Sequence, residues 1–100
     1  MYQRLCDVMD VSPGEMKQFD LNEREFLVAN IAGQFYCLEG RCTHARAPLF
    51  EGELAGNVLA GPWHYTQFNI IDGPVLRGPT KRPLRIYRTM MKEGQIFVDI

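Results

Sequence analysis

Between Arg41 and Phe68 the chain gathers both of its histidines, its single tryptophan and one of its three cysteines. Cys42 and His44 are alternate residues, so in an extended stretch both side chains can point at one centre. His64 follows in a Pro62-Trp63-His64 turn. Pro62 stiffens that turn and Trp63 can shield it. A thiolate and imidazoles together suit an iron–sulfur cluster, zinc or copper. A lone Cys-x-His is more often without a metal. A second histidine in a Pro-Trp-His turn makes the pattern far more specific, and a fold that uses both motifs must set two loops face to face across a short strand.

The rest of the chain limits what can carry those loops. One hundred residues make one domain. A hydrophobic share of 46% makes it globular. The formal net charge of −1 argues against a general nucleic-acid binder. No apolar run approaches the roughly eighteen residues of a membrane span, and the first ten residues lack the apolar centre of a signal peptide. A soluble, cytoplasmic protein is expected, with no nucleic-acid or membrane partner. The cysteines at 6, 37 and 42 are odd in number and do not read as a disulfide framework. Reduced thiols fit better, with Cys6 a small buried hydrophobe.

Strand signals recur along the chain. Residues 2–8 read as a strand, 10–15 as a turn around Pro13-Gly14, 16–20 as a short strand and 21–25 as a charged loop. The clearest hairpin joins 25–31 to 34–39 through Ala32-Gly33. Phe26, Val28 and Asn30 share one face of its first strand, and Leu27, Ala29 and Ile31 the other. Both faces are largely apolar, which predicts a central strand. Further strands are expected at 57–60, 67–71, 75–76, 85–91 and 95–100, with turns at Asp72-Gly73-Pro74 and Glu93-Gly94. Ile96, Val98 and Ile100 face one way. Residues 49–54 can form a single helical turn, and no amphipathic helix is evident. Many short strands broken by Gly and Pro predict an all-β, antiparallel sandwich or barrel.

The pattern Cys-Thr-His, then sixteen residues, then Gly-Pro-Trp-His resembles the Rieske signature, C-x-H followed by C-x2-H. The resemblance covers nearly the whole chain. It is closest over 35–79, in FYCLEGRCTH, APL, EGEL, GPWHYTQF and VLRGP. It implies a Rieske-like fold over 1–100, with a cluster-binding subdomain at about 40–72 inserted within it. In that family two cysteines hold one iron of a [2Fe–2S] cluster and two histidines hold the other. Carried over, Cys42, His44 and His64 are cluster and metal ligands. The family's second cysteine falls on Gly61, which has no side chain. Cys37, on the expected strand five residues before Cys42, is a minor candidate to replace that missing ligand.

Other positions refine the resemblance. The extra inter-loop disulfide of the respiratory type would fall on Ala47 and Trp63, so it is absent here, as in the small ferredoxins of oxygenase systems. The tyrosine that donates to a ligand sulfur in high-potential members corresponds to Phe68, which has no donor. That implies a low potential. Arg46 and Tyr65 stand where members often have glycine. Arg77, Lys81, Arg82, Arg85, Arg88 and Lys92 have no acid among them. They read first as a solvated strand face, and more sharply as a docking patch for an acidic redox partner, with Arg46 nearby.

The function implied is single-electron transfer from a flavoprotein reductase to a terminal oxygenase, with no bond chemistry on a substrate and no catalytic residue. A different class is a Rieske-fold domain that has lost its cluster and serves as a binding or structural subunit. A third reading is a mononuclear metal site at Cys42, His44 and His64.

Overall fold

The computed structural model describes residues 1–41, 46–62, 66–72, 74–77 and 82–100. Its strands are β1 (Tyr2–Asp7), β2 (Met16–Leu21), β3 (Arg24–Ile31), β4 (Gln34–Glu39), β5 (Glu53–Ala55), β6 (Val58–Ala60), β7 (Gln67–Asn69), β8 (Val75–Arg77), β9 (Ile86–Tyr87), β10 (Thr89–Lys92) and β11 (Gln95–Asp99). They form three sheets, in the orders β1-β11-β10, β2-β3-β4-β9 and β5-β6-β7-β8. All of the pairings are antiparallel. The all-β expectation holds. Helical structure among the described residues is confined to short 3-10 turns at Val8–Asp10 and Leu49–Glu51. None is long and apolar enough to cross a membrane.

The side-chain alternation of β3 explains why the sheets are arranged as they are. Its two faces open into two separate cores. Leu27 and Ala29 pack with Leu38, Leu49, Leu59, Phe68, Ile70 and Leu84, which joins the central sheet to the β5–β8 sheet. Phe26 and Val28 pack with Leu5, Cys6, Cys37, Ile96 and Val98, which joins the same sheet to the β1-β11-β10 sheet. The strand is central, as its doubly apolar pattern requires. Phe26 is also held edge-to-face by Tyr87, with ring centroids 5.1 Å apart.

Tight turns set the register. Asn22-Glu23, Ala32-Gly33 and Glu93-Gly94 each have both residues at positive φ. That is the backbone of the two-residue hairpin turns that match strand twist. Gly33 and Gly94 mark two of these turns plainly. Glu23 is an unusual residue in this conformation, so the loop expected at 21–25 is instead a two-residue turn, with β3 beginning at Arg24. A second correction concerns the single strand expected at 85–91. It breaks at Arg88, because β9 pairs with β4 while β10 pairs with β11 in another sheet. The strand expected at 67–71 ends at Asn69, and β5 was not expected at all.

Asn30 ties the loop before β2 to the central hairpin. Its Nδ2 donates to the Val11 carbonyl at 2.9 Å, and its Oδ1 accepts from the Gly33 amide at 2.8 Å. Its backbone also bonds to Gly14 and Glu15. The side chain is buried at 3% exposure, so losing it leaves the Val11 carbonyl and Gly33 amide short of partners. Asn30→Ala should cost about 2 kcal/mol in urea denaturation. A variant as stable as the parent would show that water replaces both bonds freely.

Cys6 and Cys37 are free thiols buried in one core. Burial, reinforced by Cys6, pushes the Cys37 thiol up to about 12. Burial, then Asp10, pushes Cys6 up to about 11. Both thiols keep their protons in the folded chain at a pH where the unfolded chain, with its thiols near 9.0, loses them. The unfolded state then binds fewer protons, so stability falls as pH rises from about 9 towards 12. The urea midpoint should decline over that range, and decline less steeply in Cys37→Ala. At neutral pH an alkylating reagent should label neither thiol until the protein unfolds.

Candidate metal centre

The two motif loops leave from ladders that the structure defines well at their bases. The first loop starts where β4 ends. Gly40 donates its amide to the Glu25 carbonyl, and the Leu49 amide donates to the Gly40 carbonyl at 3.0 Å. Arg41 and Pro48 form an isolated antiparallel bridge that closes the loop. The Arg41 guanidinium clamps it further, with Nε donating to Glu25 at 2.9 Å and Nη1 to the Arg46 carbonyl at 3.3 Å. The second loop joins β6 to β7. It is closed by the Gly61 amide, which donates to the Thr66 carbonyl at 2.7 Å.

These two bases touch. A Cβ built on Gly61 would meet Thr66 O at 3.6 Å, Leu49 Cδ2 at 3.8 Å and Thr66 Cβ at 4.0 Å. Leu49 belongs to the first loop's base and Thr66 to the second. The chain between Arg41 and Arg46 carries Cys42 and His44, and the chain between Pro62 and Thr66 carries Trp63, His64 and Tyr65. Those five residues lie outside the described residues, as does Lys81. The structure thus brings together the ends of both candidate loops.

Several of the remaining positions are described. Ala47 is buried at 1% exposure, and Phe68 is fully buried between Leu59 and Val75 in register. Arg46 is exposed and sits at φ 55°, a conformation that favours glycine. Its bulk is accommodated by pointing away from the core. Arg85, Arg88 and Lys92 are exposed on or beside β9 and β10, and the Arg85 guanidinium lies 5.1 Å from the Tyr87 ring centroid.

Cys37 is not a substitute ligand. It lies on β4 beside Leu38, and alternate residues face opposite sides of a strand. Leu38 packs with Leu49 in one core, while Cys37 packs with Cys6 and Val28 in the other. The central sheet stands between Cys37 and the loop bases.

Sequence reasoning missed two features of the site. The Thr66 hydroxyl is fully buried and has no hydrogen-bond partner among the described residues. A groove of about 490 Å³ runs beside Gly61, walled by Glu53, Ala60, Pro62 and Gln67. The polar residue directly preceding β7 was the available clue to the first. The groove depends on the unexpected β5 and had no sequence clue.

A small all-β protein with two loop bases brought into contact beside a central sheet is the frame defined here. The Rieske [2Fe-2S] domain family matches residues 1–88, and the chain belongs to that family. It is 31% identical to ferredoxin CarAc of Metapseudomonas resinovorans, over 98% of this chain and 92% of that one. It is 30% identical to the ferredoxin component of biphenyl 2,3-dioxygenase from Rhodococcus jostii strain RHA1, over 97% and 91%. The fold superposes on Sphingomonas yanoikuyae B1 ferredoxin with a TM-score of 0.94 at 27% identity, covering 100% of this chain and 99% of that one. It also matches a chain in a complex of reduced oxygenase and oxidized ferredoxin of carbazole 1,9a-dioxygenase. There the TM-score is 0.88 at 32% identity, covering 97% and 91%.

Family membership implies a [2Fe-2S] cluster. The donor types that the resemblance implies suit it, and the buried Thr66 hydroxyl beside the loop bases has no partner among the described residues. In number the set falls short. On the resemblance, Cys42, His44 and His64 would supply three ligands and Gly61 none. The residues present do not complete the group.

Proposed function

We propose that this protein is a Rieske-type ferredoxin that passes single electrons from a flavoprotein reductase to a terminal oxygenase and performs no bond chemistry of its own. The observation that carries this reading is the near full-length match to a chain of a ferredoxin–oxygenase complex. The ferredoxin components among its relatives are similar over nearly their whole length too. In this reading the chain is one cytoplasmic domain over 1–100, with the cluster-binding part at about 40–72. Cys42 serves the sulfur-bound iron, and His44 and His64 serve the other. Gly61 replaces the family's second cysteine. With phenylalanine at 68, no hydroxyl there donates to a ligand sulfur, which favours a low potential. Arg77, Lys81, Arg82 and Arg46 contribute positive charge for an acidic partner.

Gly61 also favours a second reading, a Rieske-fold subunit without a cluster that binds or scaffolds a larger enzyme. A single ion on Cys42, His44 and His64 is the intermediate case. Electron paramagnetic resonance of the reduced protein, purified without oxygen, separates the three, with iron, zinc and sulfide analysis alongside. The ferredoxin reading expects iron and sulfide in equal amounts and a Rieske-type signal. Zinc or iron without sulfide would select the single-ion site. Colourless, metal-free protein that no iron and sulfide treatment can load would sink the electron-carrier reading.

A further inference from the structure

We infer that the outer edge of β10 is a strand-addition site for an extended acidic segment of a partner protein. The segment that fits it carries a carboxylate, an apolar residue and a second carboxylate at alternate positions.

β10 stands at the end of the order β1-β11-β10, and β11 is its one strand partner among the described residues. A strand so placed turns half of its backbone donors and acceptors towards a further strand. The side chains mark the edge as open. Met90 faces outward beside Phe97, since the β11 residues on either side, Ile96 and Val98, turn into the core. Met91 faces the other way, in register with the fully buried Ile96, yet is itself 57% exposed. The core therefore ends short of β10, and a strand laid along it would cover a methionine on each face. Methionine adapts its shape to varied apolar partners and is frequent on binding surfaces.

Charge selects the occupant. Arg88 and Lys92 lie at alternate spacing on either side of Met90, so an extended backbone puts all three on one face. Both are exposed. Neither has an ion pair among the described residues, whereas Arg4 across β11 is matched by Asp7 at 2.9 Å. Opposite charges on directly paired strand residues attract and like charges repel. Carboxylates therefore belong opposite Arg88 and Lys92, and an apolar side chain opposite Met90. Self-pairing of two copies about Met90 would set Arg88 against Lys92. The edge belongs to the sheet on the other side of β3 from Leu49 and Phe68, so a partner strand here leaves both loop bases uncovered.

The test titrates the full chain with the end-blocked peptide Thr-Glu-Val-Ile-Val-Glu-Thr and follows the protein's backbone amides by nuclear magnetic resonance. No bound metal enters the readout. The amides of Thr89–Lys92 should shift, and added salt should weaken the binding several-fold. The same peptide with lysine for glutamate should bind several-fold more weakly. An analogue N-methylated through its Val-Ile-Val centre keeps the charges, loses the backbone donors and should not bind. The double variant Arg88→Glu, Lys92→Glu changes exposed positions only and should reverse the preference between the two charged peptides. Equal binding of the N-methylated analogue would reduce the effect to charge attraction and overturn the inference. So would shifts confined to other parts of the chain. An absence of shifts would overturn it as well, leaving Arg88 and Lys92 as charges that protect the edge from pairing. A dimer of the peptide-free chain, seen by light scattering and abolished in the double variant, would make a second copy the occupant instead.

Discussion

Gly52→Ala should be the most damaging single methyl that can be added to this protein. Gly52 ends the 3-10 turn Leu49–Glu51, with its amide donating to the Leu49 carbonyl at 3.0 Å. A Cβ there would run into the Ala60 carbonyl oxygen, and would also stand 3.1 Å from Ala60 C and 3.2 Å from Leu49 O. These are backbone atoms, so no rotamer change relieves the clash. Ala60 is paired on both sides, to Glu53 in β5 and to Gln67 in β7. Moving it disturbs both ladders and the base of the second loop. The expected loss is about 3 kcal/mol or more, read as a lower urea midpoint. Gly61→Ala is the matched control and should change stability by about 0.5 kcal/mol or less. Equal midpoints for the two variants would mean that Gly52 does not lie against β6 as described.

Leu49→Ala should rank beside it. Leu49 is fully buried and links the first loop's base to Leu38 of the central sheet and to Leu59 and Phe68 of the third. Truncation removes that contact from both sheets at once and leaves a cavity, for an expected cost of about 2–5 kcal/mol. A domain of this size has only about 5–15 kcal/mol to lose. The next residue supplies the comparison. Phe50 is 44% exposed, so Phe50→Ala should be nearly silent although it deletes the larger side chain. If Phe50→Ala proved the more harmful in urea denaturation, Phe50 rather than Leu49 would be the residue joining the sheets.

Much of this architecture could be read from residue order, and the failures have physical causes. The two-faced apolar pattern of 26–31 correctly foretold a central strand, because burial on both sides leaves no room for a polar face. Turns with glycine at positive φ were legible, as at Gly33 and Gly94. The turn at Asn22-Glu23 was not, since Glu23 adopts the same backbone without advertising it. Residues 85–91 read as one strand because local sequence does not state which partner a residue takes. The switch from β4 to β11 at Arg88 is a long-range decision. For the site, Cys-x-His and Pro-Trp-His gave the motifs and their spacing. The contact between Leu49, Thr66 and position 61 was invisible, since it joins residues from separate hairpins. So was the groove, which exists because Gly52 lets β5 lie close to β6.

The pairing of β4 with β9 has one more consequence. Cys37 and Leu38 are in register with Tyr87 and Ile86, and the Glu39 amide donates to the Arg85 carbonyl at 3.0 Å. The whole stretch from 40 to 85 therefore departs and returns at adjacent points of one sheet. Joining the ends of such a stretch carries an entropy cost that grows only with the logarithm of its length, about 0.6 kcal/mol per doubling. Insertions and deletions in its exposed turns thus weigh little on the sheet below, provided the leucines and phenylalanine that cover Leu27 and Leu38 are kept. The two motif loops can be lengthened, shortened or exchanged while the supporting strands keep their register.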